Sequence, residues 1–328
     1  MPGAIMKLPR RRFLHLAAGA VAFPAVSRVA RAQAYPARPV RIVVGFPPGT
    51  GPDIIARLVG QRLSERLGQQ FVIENRPGAG SNIGTEVVVE APPDGYTLLW
   101  TAAANTINAT LYPDLNFNFI RDIAPVAPAA RTLFVMVVNP SVPAKTIPEF
   151  IAYAKANPGK LNMASPGDGT APHIFGELFK MMAGVDLVHV PYRGDYMSDL
   201  LGGRVQVGFN PVSSTIGFIR AGKLQALAAM TVTRQEALPD IPPLGDFLPG
   251  YEASGWQGVG APKNTPAEII DRLNKEINAV VTDPRVKARF AEIGVEPMSM
   301  TPVEFGQFIA DETKKWAKVI KFAGIKPL

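Results

Sequence analysis

Cysteine is absent from the 328-residue chain, and histidine occurs three times, at His15, His173 and His189. The absence of cysteine excludes disulfide bonds, thiolate metal sites and cysteine nucleophiles, and it suits an oxidising compartment in which stray thiols would cross-link. No Gly-x-Ser-x-Gly or His-Glu-x-x-His motif accompanies the histidines, so the sequence assembles no nucleophile and base. We therefore predict that the protein is not an enzyme.

A basic block is also lacking outside the N-terminal region. Six of the 34 lysine and arginine residues lie within positions 1–34, which carry no acid, and the remaining 28 nearly balance the 27 acids. These charges are interspersed, without the basic and aromatic clusters that contact phosphate backbones. The sequence thus predicts no nucleic-acid partner.

Long hydrophobic runs are missing as well. The apolar run Leu16–Val26 is too short to cross a bilayer, and it follows the basic segment Arg10-Arg-Arg-Phe-Leu14. This order predicts a cleavable export signal over residues 1–34, with cleavage after Ala32 or Ala34 and a segment that resembles a twin-arginine signal. We expect a periplasmic protein.

Beyond residue 35, strand-like and helix-like patterns alternate, which predicts an α/β fold with parallel sheets and crossover helices. The predicted strands are Val40–Phe46, Phe71–Asn75, Thr97–Thr101, Leu133–Val138, Leu161–Ala164, Leu187–Val190, Val205–Phe209 and Leu224–Met230. Proline- and glycine-rich stretches at 122–131 and 238–255 indicate boundaries. They divide the chain into one lobe of residues 35–134 plus 253–328 and a second lobe of residues 135–252, with a ligand cleft between them.

Helix starts are marked at Thr146-Ile-Pro-Glu149, Thr265-Pro-Ala-Glu268 and Thr301-Pro-Val-Glu304. Each places a threonine before a proline in the first turn and a glutamate three residues after the threonine, which is typical of a capping box. These residues are predicted to have a structural role.

Loops rich in glycine and small hydroxyl residues follow several predicted strands and precede predicted helices. Backbone N–H groups at such helix starts are free to bind an anion without lysine or arginine. The alternative is that their glycines serve only tight turns. The candidate ligand-binding residues on these loops are Pro48, Gly49, Thr50, Gly51, Asp53, Thr101, Ala102, Ala103, Asn105, Ser165, Gly167, Asp168, Gly169 and Thr170.

Two other site types fit less well. The segment Gly78-Ala-Gly-Ser-Asn-Ile-Gly84 is one residue longer than a dinucleotide fingerprint, and the next strand ends in no acid for the ribose hydroxyls. Ser165, Asp168 and His173 are close in sequence but match no known catalytic elbow. We predict no cofactor and no metal site.

The chain resembles the solute-binding proteins of tripartite tricarboxylate transporters, also called Bordetella uptake gene proteins. The resemblance rests on ordered segments along residues 35–327, which include Phe46-Pro-Pro-Gly-Thr-Gly-Pro-Asp53, Glu74-Asn-Arg-Pro-Gly-Ala-Gly80, Asp94-Gly-Tyr-Thr-Leu-Leu99, Asn157-Pro-Gly-Lys-Leu161 and Val188-His-Val-Pro-Tyr-Arg-Gly194. It implies a type II periplasmic binding protein fold, in which two α/β lobes close over an organic acid. It also implies that the loops named above contact ligand carboxylates and that His173, Tyr192 and Asn210 are their neighbours in the cleft.

One departure from the family pattern bears on the polarity of the expected ligand. Ala102, Ala103 and Ala104 stand where hydroxyl residues are common, which predicts a less polar ligand. The resemblance implies a receptor that captures a small di-, tri- or aromatic carboxylate and delivers it to the membrane permease subunits of a tripartite tricarboxylate-type transporter. The alternative is a sensor that presents a carboxylate to a membrane receptor kinase.

Overall fold

The computed structural model describes residues 35–193, 195–235 and 238–326, and the predicted export signal lies outside them. The strands are β1 (Val40–Val44), β2 (Phe71–Asn75), β3 (Thr97–Ala102), β4 (Ile123–Thr132), β5 (Phe134–Val138), β6 (Asn162–Ser165), β7 (Val188–Pro191), β8 (Val207–Pro211), β9 (Gln225–Ala229), β10 (Gly255–Pro262) and β11 (Val295–Pro297). The helices are α1 (Gly51–Leu67), α2 (Asn82–Val89), α3 (Ala103–Leu111), α4 (Phe119–Asp122), α5 (Ile147–Ala156), α6 (Ala171–Ala183), α7 (Met197–Leu201), α8 (Val212–Arg220), α9 (Ala267–Thr282), α10 (Pro284–Glu292) and α11 (Pro302–Ala323). None of the helices in these ranges combines the length and hydropathy that a bilayer span needs.

The first sheet has the strand order β11-β4-β10-β3-β1-β2. β1 pairs in parallel with β2 and β3, whereas β10 runs antiparallel to β3 and β4. The second sheet has the order β7-β6-β8-β5-β9, in which β6 is parallel to β7 and β8, and β5 is antiparallel to β8 and β9. Each sheet therefore contains a pair of neighbouring parallel strands, β1 with β3 and β6 with β8.

The proline-rich stretch at 122–131 forms β4, a strand that the sequence analysis did not assign. Proline lacks the N–H that a central strand normally donates. In β4, Pro128 lies opposite Gly258 and Pro125 lies opposite Gly260, and the register of the ladder shifts at both places. A Cβ on Gly258 would lie 2.6 Å from the Ala127 carbonyl oxygen. Bulges in β4, where Ala129 and Val126 are the extra residues, and glycines in β10 thus admit the prolines into the middle of the sheet.

Of the three predicted capping boxes, the one at Thr301 is complete, the one at Thr146 has only the bond to the threonine hydroxyl, and the one at Thr265 is absent. Thr301 and Glu304 exchange hydrogen bonds at the start of α11, and the Thr146 hydroxyl accepts from Glu149 N–H at the start of α5. The prediction for Thr265 is wrong, because α9 begins after Pro266. The Thr265 hydroxyl instead donates to the carbonyl of Pro262, 2.7 Å away.

The chain crosses from the first sheet to the second at Leu133, the one residue between β4 and β5. The return crossing enters β10 at Gly255, which pairs with Thr132 at the end of β4. The long helix α11 packs along both parts: Phe305 lies edge-on against Trp256, and Trp316 stacks against Phe175 of α6 at 5.2 Å. The two sheets are thus joined by paired strands and a shared helix, and the lobe boundaries at 134/135 and 252/253 stay a prediction.

Candidate ligand-binding cleft

A cleft of about 790 Å³ lies between the elements of the two sheets. One wall comes from the starts of α1 and α3 and from β10, and the other comes from the starts of α6, α8 and β5. The four helices follow β1, β3, β6 and β8, the neighbouring parallel strands of each sheet. Because the carboxyl ends of parallel strands meet at one edge, the N-termini of these helices meet at the cleft.

These N-termini offer free hydrogen-bond donors. The first turn of an α-helix has N–H groups without intrahelical acceptors, and it carries a positive partial charge. Within the described residues, no side chain caps α1, α6 or α8, and α3 starts after Ala102, whose methyl side chain accepts nothing. Away from the cleft, side chains cap the N-termini of α5, α10 and α11 but not those of α2, α7 and α9. The cleft can therefore bind an anion through backbone amides.

The loop before α1 is held in shape by Asp53, which is 2% exposed. Its carboxylate accepts hydrogen bonds from Gly49 N–H at 2.9 Å and from the Asn75 amide at 2.8 Å, and it pairs with both Nε and Nη2 of Arg57. Burial opposes ionisation of Asp53, but these hydrogen bonds outweigh it and lower the pKa of the carboxyl group. The Thr50 hydroxyl donates to the carbonyl of Pro47 at 2.7 Å.

The loop before α6 repeats this design. Gly169-Thr-Ala-Pro-His173 matches Gly49-Thr-Gly-Pro-Asp53 in spacing, and the Thr170 hydroxyl donates to the carbonyl of Gly167 at 2.7 Å. Gly169 N–H donates to Nδ1 of His173 at 3.1 Å, as Gly49 N–H does to Asp53. Burial, aided by neighbouring His189 and Lys180, lowers the pKa of His173 to about 3. A neutral imidazole is what this hydrogen bond requires, since Nδ1 must accept.

His173, His189 and Asp168 form a cluster that resembles a metal site by composition. The two imidazole rings stack with centroids 3.6 Å apart and planes 5° from parallel. Their in-plane lone pairs therefore run side by side and do not converge on one ion. Since Nδ1 of His173 also accepts from Gly169, the arrangement favours a structural role.

Ser165 lies behind the cleft, fully buried, with its Oγ 2.7 Å from Nε2 of His189. The Ser165 hydroxyl also lies 3.0 Å from the carbonyl oxygen of Gly167. His189 Nδ1 in turn lies 3.5 Å from Asp168. A serine, a histidine and an aspartate are thus neighbours, but neither Ser165 nor His189 lines the cleft. The serine hydroxyl is out of reach of a solute there, so its role is to fix the loop.

The loop before α3 presents its alanines to the cleft. Ala102 and Ala103 line it, whereas Thr101 and Asn105 are buried behind them. The Asn105 side chain accepts from Ala102 N–H at 2.8 Å and donates to the Thr85 hydroxyl at 2.9 Å. Asn105 is therefore a support for the start of α3.

The predicted site residues thus fall into two groups. Those that line the cleft are Gly51, Ala102, Ala103, Asp168, Gly169 and Thr170. Those that do not line it are Pro48, Gly49, Thr50, Asp53, Thr101, Asn105, Ser165, Gly167, His173, Tyr192 and Asn210. Among the latter, the Tyr192 hydroxyl bonds to Asp199 at 2.7 Å, and buried Asn210 accepts from the Tyr196 hydroxyl at 3.0 Å.

Sequence reasoning missed the apolar part of the cleft and the start of α8. The apolar side chains include Phe46, Ile54, Ile107, Leu111, Phe134 and Trp256. Ser213 and Ser214 line the cleft from the first turn of α8, where Ser214 Oγ donates to the carbonyl of Pro211 at 2.9 Å. This bond to the residue three positions earlier matches those of Thr50 and Thr170.

Gln257 of β10 is a further polar residue that the sequence did not reveal. It is 6% exposed, lines the cleft, and lies opposite Ala102 in the β3–β10 ladder. Its Oε1 accepts from the indole N–H of Trp100 at 3.0 Å, which fixes the orientation of the amide. Its Nε2 has no hydrogen-bond partner among the described residues, so the NH₂ group remains available to a ligand.

The geometry is that of a two-lobed binding protein whose cleft offers backbone amides as hydrogen-bond donors, and none of the described residues lining it is lysine or arginine. Residues 55–325 match the tripartite tricarboxylate transporter family receptor, and the chain belongs to this family. The sequence-based assignment is thereby confirmed, and the fold is the type II periplasmic binding protein fold.

Relatives of known sequence cover most of the chain. It is 38% identical over 298 residues to a UPF0065 protein in the tcbD-tcbE intergenic region of Pseudomonas sp. (strain P51), covering 90% of this chain and 89% of that protein. It is 34% identical over 311 residues to protein BugT of Bordetella pertussis, covering 93% and 95%.

Solved structures give the same result. R. palustris Rpa4515 with adipate has 35% sequence identity and a TM-score of 0.75, and the match covers 90% of this chain and all of that one. MatC from Rhodopseudomonas palustris with bound malate has 28% identity and a TM-score of 0.71, with coverage of 87% and 100%. Both of these related proteins were solved with a small organic acid.

Proposed function

We propose that this protein is exported to the periplasm by a cleavable signal within residues 1–34, by the twin-arginine route. There it captures a small organic carboxylate in the cleft and delivers it to the membrane permease subunits of a tripartite tricarboxylate-type transporter. The observation that carries the proposal is the meeting of the starts of α1, α3, α6 and α8 at one cleft. The adipate and malate of the two related structures support the ligand class.

In this proposal the carboxylate accepts hydrogen bonds from first-turn N–H groups and from the Nε2 of Gln257. Asp53 and His173 act one step away, because each holds a glycine N–H and so fixes the loop that presents the donors. A solute that touches both walls stabilises the closed arrangement by the difference between its affinities for the closed and the open states. No cofactor and no enzymatic turnover are part of the mechanism.

Calorimetric titration of the purified protein with mono-, di- and tricarboxylates and aromatic acids tests the binding step. We expect at least one acid to bind with a stoichiometry of one, and failure of every acid would contradict the proposal. Thr170→Ser keeps the hydroxyl bond to Gly167, whereas Thr170→Val removes it. We therefore expect weaker binding in the valine variant alone.

Delivery is tested separately by solute uptake in cells that carry the permease subunits. Uptake of the bound acid should disappear when the receptor gene is deleted and return when it is restored. Uptake that persists without the receptor would separate this protein from the transporter. Export by the twin-arginine route predicts loss of periplasmic protein after Arg11→Lys together with Arg12→Lys.

A further inference from the structure

The cleft contains an uncompensated negative charge. Asp168, in the loop before α6, is the one charged side chain among the described residues that line the cleft, and its side chain is 58% exposed. No described lysine or arginine lies within 4 Å of it. A site for an anion thus carries, on its α6 wall, a group that repels anions.

The two histidines beside Asp168 do not neutralise it. His189 Nδ1 lies 3.5 Å and His173 Nδ1 lies 4.0 Å from its carboxylate. Burial lowers the pKa of both imidazoles, that of His173 to about 3. Both rings are therefore uncharged at neutral pH and add no positive charge beside Asp168.

The other residues that line the cleft indicate the chemistry of the rest of the ligand. The apolar side chains of Ile54, Ile107, Leu111 and Trp256 favour a hydrocarbon or ring-shaped body, because they gain from burial only against apolar surface. The free amide of Gln257 and the start of α3 lie together on the opposite side, that of the first sheet. That side offers donors for one carboxylate group, whereas the α6 side presents the acceptor Asp168 beside its own first-turn N–H groups.

We propose that Asp168 makes the cleft selective for monocarboxylates with an apolar body, and that it excludes solutes with a second carboxylate at the far end. This inference rests on the proposed carboxylate-binding function. The far end of the preferred solute is uncharged or carries a hydroxyl group that donates to Asp168. Like charges about 6 Å apart in a half-solvated cleft, at an effective dielectric constant of about 40, lower the affinity for the second carboxylate about tenfold.

Matched acids that differ only at one end test this directly. Hexanoate, 6-hydroxyhexanoate and adipate share one chain length, and 4-methylbenzoate and benzene-1,4-dicarboxylate share one ring. Each is titrated calorimetrically into the natural protein, into Asp168→Asn and into Asp271→Asn. Asp271 lies on the exposed face of α9, outside the cleft, so this control removes one negative charge elsewhere.

For the natural protein and the control, we expect each monocarboxylate to bind at least about tenfold more tightly than its dicarboxylate partner. Asp168→Asn should raise the affinity for each dicarboxylate about tenfold relative to its matched monocarboxylate. Adipate is the stringent probe, because the related protein from R. palustris was solved with it.

Two results overturn the inference. One is a natural protein that binds adipate or benzene-1,4-dicarboxylate as tightly as the matched monocarboxylate. The other is an Asp168→Asn variant in which the ratio of the two affinities is unchanged. Binding of none of the five acids by any of the three proteins would also overturn the inference, and the wider panel of mono-, di- and tricarboxylates then decides whether the proposed carboxylate function fails with it.

Discussion

Gln257→Glu replaces one amide group with a carboxylate of the same shape at a buried position of the cleft. In the natural protein Oε1 accepts a hydrogen bond from the Trp100 indole at 3.0 Å, and a glutamate oxygen can accept the same bond, so the side chain keeps its orientation. The NH₂ donor is lost, which removes a hydrogen bond to a charged acceptor that contributes about 2 kcal/mol. A carboxylate in its place repels a ligand carboxylate about 4 Å away by about 2 kcal/mol at an effective dielectric constant of about 40.

Together these effects amount to about 4 kcal/mol, so the dissociation constant for the acid that binds best should rise roughly a thousandfold. Titration calorimetry measures it, and circular dichroism shows that the variant is folded. Gln70→Glu, at an exposed position outside the cleft, adds the same charge and should leave the affinity unchanged. A folded Gln257→Glu protein with an affinity within about threefold of the natural protein would refute the role of the amide.

Further predictions concern stability. The pKa of His173 falls from 6.5 to about 3 on folding, so between these pH values the unfolded chain binds more protons than the folded protein, and stability is lost as the pH falls. His173→Asn should therefore flatten the dependence of Tm on pH between 7 and 4. An unchanged slope would show that His173 is not the source of the pH dependence. Asp53→Ala should lower the free energy of unfolding by about 1–2 kcal/mol in denaturant titration and also weaken binding, because Gly49 N–H, Arg57 and Asn75 lose the acceptor that fixes the loop. Weakened binding at full stability would argue for direct ligand contact. Gly217→Ala, inside α8 with open space around it, should stabilise the protein by about 0.5–1 kcal/mol, and a lower Tm would contradict this.

The strands that the sequence predicted are those with apolar β-type runs, and each appears within a few residues of its expected place. β4, β10 and β11 escaped prediction for a physical reason. β4 contains Pro125 and Pro128, and β10 contains the glycines opposite them, so each strand reads as a loop when taken alone. The pairing that makes them compatible joins residues more than 100 positions apart, and local patterns carry no sign of it.

The loops of the cleft were predictable because glycine and threonine precede the helices there. Gly49-Thr-x-Pro and Gly169-Thr-x-Pro share a signal that identifies matching loops, and the fifth residue of each accepts the glycine N–H. The start of α8 carries no glycine, so Ser213 escaped notice. Gln257 was hidden for a different reason, since its importance comes from a distant partner, Trp100.

The crossing at Leu133 and Gly255 gives the two halves a two-stranded strap. The strands are hydrogen-bonded side by side where they leave the first sheet, with Thr132 opposite Gly255. Such a strap flexes out of its plane much more readily than it shears within it. If the halves close about this strap, as the proposed function requires, the length of a captured solute sets the angle between them. A partner that docks across both rims would measure that angle, and it would recognise a wrong solute without ever touching it.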